Sequence, residues 1–173
     1  MPLPPIENFV HRFLGEPCWG VRRVDFRILG LEFGEPHKVV WPARRRGPRQ
    51  AWSRRVRLRG EFSLWVGYDG GWRLLRDGEE LTDHRASYER MERAVRELEG
   101  QAILGVEVDA AAGASRFRFD LGATLETFPR EGEPVEQQWS LRLPGGDHLA
   151  YRSDGRASLG RGGPEEKVWH AAR

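Results

Sequence analysis

Arg55, Arg57 and Arg59 stand two residues apart, and Trp65 follows in the same phase. Alternate residues of an extended strand share a face. The spacing therefore lines three guanidinium groups and an indole along one side. Upstream lie Trp41, Trp52, Arg44, Arg45, Arg46 and Arg49. Arginines interleaved with aromatic rings can hold phosphates and stack on bases. The candidate binding residues are thus Arg44, Arg45, Arg46, Arg49, Trp52, Arg55, Arg57, Arg59 and Trp65.

Charge distribution singles out the same segment. The net charge is only +2, but residues 36–60 carry nine basic side chains and no acidic one. That leaves 19 basic against 26 acidic residues elsewhere, a balance of −7. Two partners suit such a segment, an acidic protein (or a second copy of this chain) and a nucleic acid. A dedicated nucleic-acid binder is expected to be basic over its whole domain, so the protein partner is favoured. A third reading pairs these arginines internally with Glu89, Glu92, Glu97, Glu131, Glu133 and Glu136.

Other chemistries find little support. No two of His11, His37, His84, His148 and His170 have the i,i+3 or i,i+4 spacing of a chelating pair, and Cys-x-x-Cys and His-Glu-x-x-His are absent. No metal or cofactor site is assigned. Asp69, Asp77, Asp120 and Asp154 stand near predicted strand ends, where a catalytic acid could sit, but Asp-Gly is ordinary turn chemistry. No catalytic residue is assigned, and a non-enzymatic binding role is expected. The single cysteine, Cys18, reads as a small buried hydrophobe and fits a reducing compartment. The opening Met1-Pro2-Leu3-Pro4-Pro5 lacks a basic n-region, and no apolar run approaches the ~20 residues of a membrane span. A cytoplasmic protein is expected, with no membrane partner.

The elements that must position these residues read as mostly β. Phe9, Val10, Phe13 and Leu14 make a helical stripe over residues 6–14. Leu29, Leu31 and Phe33 alternate as a strand, and His37–Trp41 makes a second. Residues 42–50 read as an exposed basic loop. A long strand follows, with Val56, Leu58, Phe62, Leu64 and Val66 on its inner face and a bend at Gly60. Residues 67–71 read as a hairpin loop to a return strand carrying Trp72 and Leu74. Over residues 85–99, Tyr88, Met91, Ala94, Val95 and Leu98 mark a helix, with Asp83 as candidate cap and Gly100 as its stop.

The strands then appear to the eye a second time. Ile28-Leu29-Gly30-Leu31-Glu32-Phe33 returns as Ile103-Leu104-Gly105-Val106-Glu107-Val108, shifted by 75 residues. Phe62-Ser63-Leu64-Trp65-Val66 returns as Trp139-Ser140-Leu141-Arg142-Leu143, and Asp77-Gly78 as Asp154-Gly155, both shifted by 77. The apolar phase is kept, which a slip of one residue would destroy. Leu104, Val106, Val108, Phe117, Phe119 and Leu121 are expected inward, and Leu149 and Tyr151 match Trp72 and Leu74. The fold class expected is α+β. Two antiparallel β units, about 24–80 and 101–159, are related by a pseudo-twofold and joined by one helix, with a short N-terminal helix before them. One domain spans 1–160, and 161–173 is a tail.

The second half carries Leu98-Glu99-Gly100, then Phe119-Asp120-Leu121-Gly122-Ala123-Thr124-Leu125, then Trp139-Ser140-Leu141. In these L-x-G, F-x-x-G-x-x-L and W-x-L motifs it resembles a group of small bacterial proteins. Some members of that group look like immunity or accessory proteins of conflict systems. The resemblance implies a fold and an immunity-like or accessory role. Its residues are glycine or apolar, so it transfers no functional residue.

Overall fold

A computed structural model describes residues 5–25, 27–45, 47, 51–68, 70–132, 134–161 and 167–172. The chain opens with a single-turn helix α1 (Glu7–Val10), continued by a tighter turn over His11–Phe13. Seven strands follow: β1 (Trp19–Arg23), β2 (Leu29–Phe33), β3 (His37–Val40), β4 (Val56–Arg59), β5 (Phe62–Val66), β6 (Gly71–Arg76) and β7 (Glu79–Asp83). Helix α2 (Tyr88–Val95) runs on through a tighter turn to Leu98. Then come β8 (Ile103–Asp109), β9 (Ala114–Phe119), β10 (Ala123–Phe128), β11 (Gln137–Arg142), β12 (His148–Arg152), β13 (Arg156–Gly160) and β14 (His170–Ala171).

The described strands form two main antiparallel sheets and one arm. The larger sheet has the order β1-β2-β5-β11-β12-β13-β14, the smaller β7-β6-β10-β9-β8, and β3 pairs with β4 alone. The main sheets face each other across one apolar core. Leu31, Leu64 and Leu141 stand directly opposite one another across β2, β5 and β11. On the facing sheet, Phe117 meets the Trp139 ring edge-on at 5.7 Å. Two polar contacts are buried between the sheets, where an unmade bond would be costly. The Trp139 indole N–H donates to Ser115 at 2.9 Å, and Thr127 donates to the Gln138 side-chain oxygen at 2.8 Å. Helix α2 packs on β7 and β1, edge strands of the two sheets, and buries Met91, Val95 and Leu98. Its cap is Ser87, which accepts from the Arg90 amide. Asp83 instead accepts from the Arg85 amide two residues on, as a turn does. Gly100 sits at φ +82°, the left-handed conformation that ends helices.

The α+β class holds in its coarse form, antiparallel sheets with two short helices, but the two units are not built alike. The first begins in the larger sheet with β2 and β5 and ends in the smaller with β6 and β7. The second begins in the smaller with β8, β9 and β10 and ends in the larger. β5 and β6 therefore lie in different sheets, and the hairpin expected between them is not formed. Leu64 and Leu141 are buried neighbours, whereas Leu29 is buried in β2 and Leu104 is 54% exposed in edge strand β8. A register shift between Ile103 and Gly105 turns Ile103 inward in place of Leu104. Leu121 is also exposed. The Asp-Gly echoes differ too: Asp77 has φ +50°, while Asp154 is held by Arg152 and Arg156. At the other end, residues expected to be tail supply β14, which pairs with β13, and Trp169 lies 4.5 Å from the Arg152 guanidinium.

The predicted long strand over residues 55–66 is broken at Gly60. A Cβ there would collide with the Phe33 carbonyl oxygen, so only glycine lets β2 and the chain approach so closely. Before this point the chain lies outside the main sheet, and after it the chain enters β5. Val56 and Leu58 belong to the arm and are 52% and 57% exposed, against 1% for Leu64.

Candidate functional site

The arm sorts its residues by face. His37 pairs with Arg59, and Val39 with Arg57, on one side. Lys38 pairs with Leu58, and Val40 with Val56, on the other. The first side turns back toward the larger sheet. There Val39, Trp41 and Arg59 roof a cavity of about 250 Å³. Its floor is the outer surface of the larger sheet, with Ser63 and Trp65 from β5, Ser140 and Arg142 from β11, and His148 from β12. Tyr68 closes one wall, its hydroxyl 2.9 Å from the Ser140 hydroxyl.

Three charged or aromatic contacts organise the roof. The Arg59 guanidinium lies 5.2 Å from the Trp65 ring and 5.8 Å from the Trp41 ring, within cation–π range of both. Trp65 stacks on Tyr68 at 6.4 Å. Beneath the floor, Glu32 is fully buried. It accepts from Arg22 at 2.7 Å, from the Gly60 amide at 3.1 Å, and from the Ser63 hydroxyl. Arg142 donates from one terminal nitrogen to the Gly60 carbonyl at 2.6 Å and to Ser63 at 3.1 Å. Gly60 is thus tied on both polar groups at the point where the arm leaves the sheet.

The cavity is electropositive. Among the described residues that line it none is acidic. Burial pulls the Arg59 guanidinium below its usual value. Glu32 opposes that pull, and Arg142, Arg22 and Arg57 reinforce it. Burial also lowers Arg142, against the attraction of Glu32. The His148 imidazole is held down by burial and then by repulsion from Arg142, Lys167 and Arg59, with Asp147 opposing. Burial raises the Tyr68 hydroxyl, against hydrogen bonds to Ser140 and Gln137 and the charge of Arg59.

Of the sequence-predicted binding residues, Arg59 and Trp65 come together in this cavity. Arg57 and Arg55 lie further along the arm, exposed. Arg44 bridges to Ser53 through paired backbone bonds of 2.9 and 3.1 Å, and with Arg45 and Arg55 it lines an open groove on the arm. Trp52 is 67% exposed. Arg46 and Arg49 fall outside the described residues. Sequence reading missed Arg142, Ser140, Tyr68 and His148, because nothing local marks which strand neighbours β5. The internal pairing proposed for the basic segment is not what the described carboxylates do. Glu92 pairs with Arg96, Glu97 with Arg76 and Glu136 with Arg130, while Glu133 lies outside the described residues. Among the described residues no carboxylate pairs with Arg44, Arg55, Arg57 or Arg59.

Elsewhere the side chains with chemical potential serve structure. Cys18 is buried and free, and burial, then Glu99 and Glu32, push its thiol far up, which leaves it inert. Asp120 accepts from the Ala102 amide at 2.8 Å. Asp69 falls outside the described residues. Among the described residues no group of three or more His, Cys, Asp and Glu side chains is placed to hold a metal ion, and no helix is long and apolar enough to cross a membrane. No protein-family model matches the chain, and neither does any curated protein or solved structure.

Proposed function

We propose that the chain is a non-enzymatic protein-binding module whose recognition element is the outward face of the β3–β4 arm. One observation carries the reading. Val40, Val56 and Leu58 form an unbroken stripe on that face, each more than half exposed, with Lys38 beside them. Scattered exposed hydrophobics need no explanation, but a contiguous stripe on a projecting ribbon marks a contact surface. Among the described residues of the arm, Arg44, Arg55, Arg57 and Arg59 pair with no carboxylate, and Trp and Arg are the residues that anchor interfaces. The occupant that fits is an acidic protein whose carboxylates flank apolar side chains. A second copy of this chain would set arginines against arginines. A nucleic acid would leave the aliphatic stripe unmatched and would be repelled by the acidic remainder. Occupying an acidic partner is work suited to an immunity-type or accessory protein.

The test is photo-crosslinking from position 58 in the native host. A captured protein counts only if it is acidic and rebinds the purified chain. Leu58→Asp should then weaken binding by at least ~10-fold while leaving the melting temperature unchanged. Saturable, submicromolar binding of DNA or RNA near physiological salt, with a log–log salt slope of about −0.7 per phosphate contact on single strands, would replace this reading with the nucleic-acid one.

A further inference from the structure

The cavity behind the arm is distinct from the outward stripe, and its chemistry selects a different kind of ligand. Its polar lining offers the Arg59 and Arg142 guanidinium groups and the one hydroxyl proton that the Tyr68–Ser140 pair leaves free, the Ser63 proton being given to Glu32. Arg142 is incompletely satisfied. One terminal nitrogen serves Gly60 and Ser63, but its Nε is buried and has no partner. That nitrogen is sealed from the cavity as from solvent, so an entering acceptor is left to the parts of the Arg59 and Arg142 guanidinium groups that line the cavity. The one buried carboxylate nearby, Glu32, is already committed to Arg22, Ser63 and the Gly60 amide. A cation would find no counter-charge in the lining, whereas an anion finds two guanidinium groups.

The remaining lining is aromatic and apolar. Trp41 in the roof and Trp65 in the floor flank the Arg59 guanidinium, Tyr68 stacks on Trp65, and Val39 completes the roof. The volume of about 250 Å³ sets the size. A dry cavity of ~150 Å³ accommodates one benzene ring, so this one holds a ring with a small charged substituent. A nucleotide would exceed it, and an inorganic phosphate would leave the aromatic and apolar lining without an apolar partner.

We propose that this cavity binds a small planar organic anion, a carboxylate carried on a single aromatic ring. The carboxylate meets Arg142 and Arg59, and the ring lies against Trp65 and Trp41. Bidentate guanidinium–carboxylate contacts supply orientation as well as strength, and the aromatic walls supply the apolar burial. This site stands apart from the protein-binding reading and requires no protein partner.

The experiment titrates the purified full chain with benzoate, benzamide and inorganic phosphate, followed by calorimetry and tryptophan fluorescence. Benzoate is expected to saturate at one per chain. Benzamide, the same shape without the charge, is expected to bind at least ~10-fold more weakly, since the charge-assisted bonds are lost. Phosphate is expected not to displace benzoate at equal concentration. Arg59→Gln and Trp41→Ala should each weaken benzoate by ~10-fold. Both residues lie on or beside the arm, so the melting temperature should hold. Leu58→Asp should leave benzoate binding unchanged, which separates this site from the outward stripe. The proposal is overturned by absence of saturation, by equal binding of benzamide, by phosphate displacing benzoate, or by folded Arg59 and Trp41 variants that bind as wild type does. If either variant fails to fold, the benzoate–benzamide ratio on the unaltered chain decides.

Discussion

Two surfaces of this molecule carry several arginines each and use them in opposite ways. On the outer face of the smaller sheet, Arg73, Glu126, Arg116, Glu107 and Arg118 form a cross-strand ladder. Glu126 stands opposite Arg73 on one side and Arg116 on the other, with bonds of 2.7 and 2.9 Å, and Glu107 holds Arg118 at 3.0 Å. On the outer face of the larger sheet and its arm, Arg59 and Arg142 face indoles, hydroxyls and backbone, and no described carboxylate pairs with them. The contrast shows that arginine count says little about availability. What decides is whether register puts an acid opposite each base. The ladder neutralises its own surface, and the arm keeps its charge for something else.

The comparison can be broken most forcefully at Gly60, where the arm leaves the core. Leu58 and Leu64 share one phase in the sequence, yet only Leu64 is buried. Leu64→Ala should cost roughly 2–5 kcal/mol, and Leu141→Ala a similar amount. Leu58→Ala should stay within about 0.5 kcal/mol. Denaturant midpoints measure all three. A large loss at Leu58 would mean that the arm is part of the core and not a free recognition element.

A finer probe compares the two key carboxylates. Glu32 is sealed beneath the cavity floor, and its removal leaves Arg22 and the Gly60 amide short of an acceptor. Breaking such a buried pair is expensive, but Arg22 keeps some access to solvent, so Glu32→Gln should cost about 2–3 kcal/mol. Glu126→Gln should cost about 1 kcal/mol or less, because both of its arginines are half exposed. Equal costs would erase the distinction between a braced cavity and a solvated ladder.

Legibility in the sequence follows the same physics. Alternation identified the inward residues of β2, β5, β9 and β11, because burial of one face imposes a period of two. It could not say which sheet each strand joins. Trp72 and Leu149 read as equivalents and both are buried, but in different sheets. The buried state of Glu32 was equally hidden. It sits on the face that alternation assigns to solvent, where Arg22 from β1, Ser63 from β5 and the Gly60 amide at the root of the arm enclose it. Arg59 and Trp65 were legible as partners because they are near in sequence. Arg142 and His148 come from strands whose adjacency is a property of the whole topology. The break at Gly60 was visible as a glycine within an apolar run, though not its consequence for Val56 and Leu58.

The smallest effect separates the surfaces by pH. Burial pushes the Glu126 carboxyl up, but hydrogen bonds from Arg73 and Arg116 and their charges outweigh it, so the group titrates below its usual value. The folded chain then binds the Glu126 proton less readily than the unfolded chain. The ladder's contribution is present above about pH 4.3 and is lost as pH falls through the lower folded value. His148 is also held down, by burial and by Arg142, Lys167 and Arg59. Its window opens higher. Below about pH 6.5 the unfolded chain takes up the imidazole proton first, so stability falls as pH falls through that range. His84, lowered by burial against its bond to the Trp72 backbone, contributes in the same window. Denaturant unfolding at pH 7.5, 5 and 3.5, values chosen as roughly bracketing the two windows, can tell them apart. His148→Gln should reduce the loss that begins below about pH 6.5, with His84 contributing in the same direction. Glu126→Gln should reduce the loss between the last two values and leave that between the first two unchanged. If His148→Gln loses as much stability as wild type on the first step, neither burial nor the guanidinium groups of the cavity hold the imidazole down, and the environment assigned to that face is wrong.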